Sequence, residues 1–238
     1  MAKKIVIASG KGGVGKTSVT IGLGKALSKR GKKVLLVDCD TLQSIDILLE
    51  ADESIVYNWG DAVRGRCCIE DAVYTVKDLD FMTCPRDYMG VSIKSLKELM
   101  KELDSMYDYI LLDSPAGVEM GFITASYVAD RGLVVSTADP VCVRSACKAA
   151  DEMRKYGVDN IRLVINRAVR SDIRKNKMLN IDKVIDMTEV QLIGVVPEDA
   201  EILHASMGGN IYSSDNISYK AFNNIASRID GQYVPLDI

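Results

Sequence analysis

Short, unbroken apolar runs alternate along this chain with longer stretches in which apolar residues return every three or four positions. Lys4-Ile5-Val6-Ile7-Ala8 reads as a buried strand, followed by a glycine-rich loop and by a helix over Lys16–Lys29 that Gly31 closes. Lys33–Val37 is a second strand ending at Asp38, with helical stretches near Ser44–Leu49 and Val56–Arg64. Leu79–Met82 reads as a strand and Ile93–Leu103 as an amphipathic helix. Tyr109–Leu112 is a strand that ends at Asp113. Helices over Gly121–Val128 and Ser145–Tyr156 then alternate with strands over Gly132–Ser136 and Ile161–Ile165.

Strands that are apolar at every position are those covered on both faces, as in parallel sheets. Their alternation with helices implies right-handed strand–helix–strand units. The expected fold is therefore α/β: a doubly wound, mostly parallel sheet with helices on both faces, forming a single domain over residues 1–238. Ligands of such sheets bind at the carboxyl ends of the strands. Lys16, Asp38, Asp40, Asp113 and Asn166 all fall directly after predicted strands.

Composition changes this picture little. Apolar residues at 47% and charged residues at 26% describe an ordinary folded chain, and the net charge of −3 gives no general reason to expect nucleic acid. No secretory leader or membrane-length apolar run is apparent, so the reading is cytoplasmic. The six cysteines at 39, 67, 68, 84, 142 and 147 form no CxxC pair and read as reduced thiols, and His204 and Trp59 read as structural. The basic stretch Arg170–Lys177 reads as an exposed loop or helix start, either a solvated face or a binding patch.

The chemistry lies in Gly10-Lys11-Gly12-Gly13-Val14-Gly15-Lys16-Thr17, which satisfies G-x-x-x-x-G-K-[ST] between a strand and a helix. Glycines let successive N–H groups turn toward phosphate oxygens, and the helix start adds unpaired donors and positive potential. Lys16 is expected to reach the β- and γ-phosphates of ATP and Thr17 to ligate Mg2+. Lys11 either points outward to the nucleotide of a second subunit or is merely solvated. Asp38 and Asp40 share one side of an extended segment and could share the magnesium and water region. Asp113 ends its strand as a Walker-B aspartate does. Each of these aspartates could alternatively cap a helix.

The segment Lys11–Thr17 resembles the deviant Walker A loop of the MinD/ParA family, phosphate-loop NTPases of the SIMIBI type. Val37-Asp38-Cys39-Asp40 resembles that family's first switch segment. Asp113-Ser114-Pro115-Ala116-Gly117-Val118-Glu119, Ile193–Asp199 and Ala205-Ser206 resemble its MinD branch. The resemblance runs from Lys3 to about Ile229 and is weakest between Asp52 and Leu79. It implies an ATP hydrolase that forms a homodimer when ATP binds and regulates a protein partner in cell division or spatial organisation. Gly10 to Thr17 and Ser18 would hold the nucleotide, with Lys11 reaching the partner's phosphates and Asp40 positioning the attacking water. Asn166 and Arg167 would meet the adenine on one side, and Pro197, Glu198 and Asp199 on the other. Thr17, Asp38, Asp40 and Asp113 would form the magnesium region.

The segment Gly231–Ile238 lacks lysine and arginine and contains Pro235, unlike the basic amphipathic helix with which MinD-type chains bind membrane; direct membrane anchoring is therefore not expected. Two other members of this fold remain as alternatives. A metallocluster ATPase resembling the nitrogenase iron protein is motivated by the cysteines, notably Cys67-Cys68. A DNA-partitioning ATPase resembling ParA is motivated by Arg170, Arg174, Lys175 and Lys177, and ranks lower on charge.

Overall fold

The computed structural model describes residues 1–51, 54–200 and 217–236. The chain runs β1 (Lys3–Ser9), α1 (Lys16–Ser28), β2 (Val34–Asp38), α2 (Ile45–Leu49), α3 (Trp59–Val63), β3 (Tyr74–Val76), β4 (Leu79–Met82), α4 (Ile93–Leu103) and β5 (Tyr109–Ala116). It continues α5 (Met120–Val128), β6 (Arg131–Ser136), α6 (Pro140–Lys155), β7 (Ile161–Ala168), α7 (Arg170–Arg174), α8 (Ile181–Thr188), β8 (Leu192–Pro197) and α9 (Ile217–Ile229).

The strands form one sheet in the order β3-β4-β2-β5-β1-β6-β7-β8. Every pair is parallel except β3 with β4. Alternate residues of each strand enter opposite cores. Ile5, Ile7, Leu36, Leu111 and Val135 pack with α1 and α9, while Val6, Ala8, Val37, Leu112 and Val134 pack with α4, α5 and α6. That two-sided burial is why the strands are apolar throughout. Each large aliphatic side chain so buried contributes on the order of 1.5–3 kcal/mol.

Several boundaries differ from the sequence expectation. β5 and β7 extend three residues past the expected ends at Asp113 and Ile165, so Asp113 and Asn166 lie within strands rather than after them. Their polar side chains are tolerated there because both find partners across the loop. α6 begins at Pro140, five residues before the expected Ser145, because Asp139 accepts the Val141 and Cys142 amides and Pro140 needs no amide partner at its position. The helix over Ile93–Leu103 matches its expectation, with Ser92 capping it through Ser95. No helix of the described residues is long and apolar enough to cross a membrane. Residues 232–235 are non-helical and are held against α9 by Arg228, which donates to the Val234 and Pro235 carbonyls.

Candidate functional site

The loop between β1 and α1 is shaped by two glycines with different duties. Gly15 caps α1 in the left-handed region, at φ 89° and ψ 34°, where a β-carbon is strained. Gly10 lies against α6: a methyl group there would sit 2.0 Å from the Ser145 carbonyl oxygen. The loop is therefore pressed onto α6 before it turns into α1. Lys11, Gly12 and Gly13 face solvent, whereas Val14 and Lys16 are buried. Ser9 fixes the loop start by donating to the Lys11 carbonyl at 2.8 Å.

Below the loop, β2 and β5 place Asp38 opposite Asp113 in register. Both carboxylates are buried. Asp113 accepts from the Thr17 hydroxyl at 2.7 Å and from the Thr20 hydroxyl at 2.8 Å. Burial pushes its pKa up to about 6, against the pull of the Thr17 hydroxyl and the Lys16 ammonium. Asp38 accepts from the amides of Asp40 at 2.8 Å, Ser44 at 2.8 Å and Ile45 at 3.2 Å. Burial, and then the neighbouring Asp113 charge, lift Asp38 to about 7, with those three amides opposing the shift. Asp38 thus organises the turn into α2 by accepting from its first amides, although the N-cap residue of that helix is Ser44. Asp40 is half-buried and accepts from the Leu42 amide at 3.1 Å.

The loop is also tied to the far half of the sheet. Asn166 is buried and its Nδ2 donates to the Val14 carbonyl at 2.8 Å. The observed contact of Asn166 is therefore with the loop backbone. Arg167 follows with φ 55° and faces solvent. Ala168 pairs with Pro197 and accepts from the Glu198 amide at 3.1 Å, which brings 197–199 beside Asn166 and Arg167. Asp199 accepts from Ser218, so its carboxylate anchors the start of α9. Ser18 is half-buried on α1.

Sequence reading missed Thr20 and the role of Trp59. Thr20 lies three residues after Thr17 on one helix face, a spacing that would have revealed a shared acceptor. Trp59, expected to be structural, is fully buried and donates from Nε1 to the Asp38 carbonyl at 2.7 Å. Arg170, Arg174, Lys175 and Lys177 are all exposed, and α7 buries none of its residues. Cys39, Cys84 and Cys142 are buried thiols, and among the described residues no three His, Cys, Asp or Glu side chains gather as a metal cage. Burial raises the Cys84 thiol well above its ordinary value, as it does Cys39. Ala205, Ser206 and His204 lie outside the described residues.

A glycine-shaped loop at a helix start, a buried lysine and a hydroxyl–carboxylate pair beneath it define a phosphate-loop ATPase site. The sequence model of the CobQ/CobB/MinD/ParA nucleotide binding domain matches residues 5–210, and the chain belongs to that family. The septum site-determining protein MinD of Bacillus subtilis is 35% identical over 249 residues, spanning 100% of this chain and 92% of that protein. The structure of the MinC:MinD cell division protein complex of Aquifex aeolicus superposes with a TM-score of 0.92 at 32% identity, covering 100% of this chain and 99% of that one. MinD of Pyrococcus horikoshii complexed with Mg-ADP gives a TM-score of 0.85 at 29% identity, covering 97% of this chain and 96% of that one. Within the family the chain is a MinD-like ATPase.

Proposed function

We propose that this chain is an ATP-switched dimer that hydrolyses ATP to ADP and phosphate and acts on a protein regulator of cell division. The observation that carries the reading is the Thr17–Asp113 hydrogen bond beneath a loop whose lysines face opposite ways, Lys16 buried and Lys11 exposed. The Thr17 hydroxyl donates a hydrogen bond to Asp113, so its oxygen keeps lone pairs with which it can accept or ligate. Hard oxygen donors of this kind suit Mg2+, which keeps waters and phosphate oxygens in its shell and needs few protein ligands. Thr17 would hold the ion directly, with Asp113, Asp38 and Asp40 in its surroundings. Bound there, Mg2+ would neutralise charge on the β- and γ-phosphates.

The chain's own residues do the rest. Backbone amides of Gly12 to Thr17 receive the phosphate oxygens, with Ser18 beside them, and Lys16 adds charge at the β- and γ-groups. Asp40 stands past the end of β2 and orients a water in line with the γ-phosphate. As that water's oxygen bonds phosphorus, the bond to the ADP oxygen breaks. Lys11 extends from the open side of the loop to the nucleotide of a second copy. Asn166 keeps its Oδ1 for the adenine amine while Nδ2 restrains the loop, and Arg167 with Pro197, Glu198 and Asp199 frames the base.

A phosphate-release assay tests this. Lys16→Ala is expected to abolish ATP binding, whereas Lys11→Ala binds ATP and fails to hydrolyse it. Phosphate release by Lys11→Ala at the unmodified rate would remove the two-chain site.

A further inference from the structure

The backbone that leads to Asp40 is held in an unusual way. β2 pairs with β4 from Leu35 to Val37, and beyond that point two side chains stand where strand amides would donate. Trp59 Nε1 donates to the Asp38 carbonyl at 2.7 Å, and Tyr88 Oη donates to the Cys39 carbonyl at 2.6 Å. The amides of the same two peptide units are held from other directions. The Cys39 amide donates to the Asp113 carbonyl at 2.9 Å, and the Asp40 amide to the Asp38 carboxylate at 2.8 Å. Both peptide planes that precede Asp40 are therefore fixed at the carbonyl and at the amide.

The two donors belong to one wall. The Trp59 amide donates to the Thr83 carbonyl at 3.2 Å, which ties α3 to the end of β4. The rings of Trp59 and Tyr88 lie 5.6 Å apart, and Tyr88 Oη is also 3.6 Å from Cys84 Sγ. Gly121 of α5 closes the other side: a methyl group there would sit 2.1 Å from the Cys39 carbonyl oxygen. Burial raises the Tyr88 phenol above its ordinary value, so it remains a donor at neutral pH.

A peptide plane moves as a unit. Tilting the plane between Cys39 and Asp40 changes ψ of the first and φ of the second, and so swings the Asp40 side chain. We propose that Tyr88 and Trp59 are positioning residues for ATP hydrolysis, holding the two peptide units that aim the Asp40 carboxylate at the attacking water. This role depends on the reading of Asp40 as the group that orients that water. The phosphate loop has its own supports in Ser9, Asn166 and α6, so the two donors act on the rate and not on nucleotide affinity.

Tyr88→Phe is the direct test, because it keeps the ring and removes only the donor. The Cys39 carbonyl, left unsatisfied, turns to find another partner. Phosphate release is measured, together with calorimetric binding of a non-hydrolysable ATP analogue with Mg2+, and urea unfolding verifies the fold. The kcat is expected to fall by about tenfold or more, since small misplacements of a reacting geometry are costly in rate. The dissociation constant of the analogue is expected to stay within about twofold. Trp59→Phe removes the other donor and is expected to shift kcat in the same direction.

Single-turnover rates then separate action through Asp40 from a general loosening. Added to Asp40→Ala, Tyr88→Phe is expected to leave the residual rate unchanged within about twofold, because groups that act as a unit are not additive. A further loss of about tenfold in the double variant would overturn the proposal. So would unmodified kcat in folded Tyr88→Phe and Trp59→Phe, or a loss carried entirely by weaker binding of the analogue. Hydrolysis by Asp40→Ala at the unmodified rate would remove the Asp40 reading itself, and this role with it.

Discussion

Thr17 donates its hydroxyl proton to Asp113 at 2.7 Å, joining the first turn of α1 to the middle of β5 across 96 residues of sequence. The same carboxylate accepts from Thr20 through its other oxygen, at 2.8 Å. Asp113 is thereby a positioning residue for Thr17. Replacing Thr17 by Ala is expected to slow ATP hydrolysis by about a hundredfold, the scale lost with one preorganised contact to reacting charge. Thr17→Ser restores most of the rate, because it keeps the hydroxyl. Steady-state phosphate release distinguishes these outcomes; equal rates for Ala and Ser would contradict the role.

Gly10 is fixed by its neighbour rather than by its own conformation. A methyl group there meets the Ser145 carbonyl oxygen at 2.0 Å and the Ser145 β-carbon at 2.6 Å. Because the obstacle is α6 backbone, the loop must shift. Gly10→Ala is expected to lower stability by about 1–3 kcal/mol, as overpacking does, and to weaken nucleotide binding together with it. Urea unfolding and ADP titration check both effects.

Asn166 reaches the loop from β7, and its removal strands the Val14 carbonyl. An unsatisfied buried acceptor costs about 1–3 kcal/mol. Asn166→Ala is expected to raise the dissociation constant for ADP by about tenfold and to reduce the preference for adenine over guanine nucleotides. Competition between ADP and GDP separates the two duties: an unchanged preference would leave Asn166 a loop tether only.

Asp139 caps α6 through the Val141 and Cys142 amides, and the Cys142 amide in particular holds its carboxyl below the usual value of 3.8. A depressed carboxyl stabilises the fold above its unfolded pKa, and that contribution is lost as pH falls through the folded value. Asp139→Ala is therefore expected to cost about 1 kcal/mol near neutral pH. The difference shrinks when unfolding is repeated near pH 3. A difference that stays constant would contradict an ionised cap.

Much of this was legible in the sequence, for physical reasons that vary by element. Ile5 to Ala8 and Leu35 to Val37 announce buried parallel strands because both faces are covered, and the loop motif announces itself by spacing. α6 was misplaced at its start although Asp139-Pro140 is a readable cap. β3 escaped because it is three residues long, and its turn into β4 uses Lys77 and Asp78 at φ 50° and 65°, where glycine or asparagine would have signalled a hairpin. β8 and α8 went unmarked; Gly194 interrupts the β8 apolar run because the Ile225 side chain of α9 closes against it. The tether from Asn166 to Val14 spans 152 residues and depends on strand order, which no local pattern encodes.

The central claim is that ATP makes two chains complete each other's sites. The direct measurement is light scattering on size-exclusion chromatography of Asp40→Ala, with ATP, with ADP and without nucleotide. The account predicts a dimer with ATP alone, and a monomer with ATP once Lys11→Ala is added. A monomer of Asp40→Ala under every nucleotide condition would contradict it.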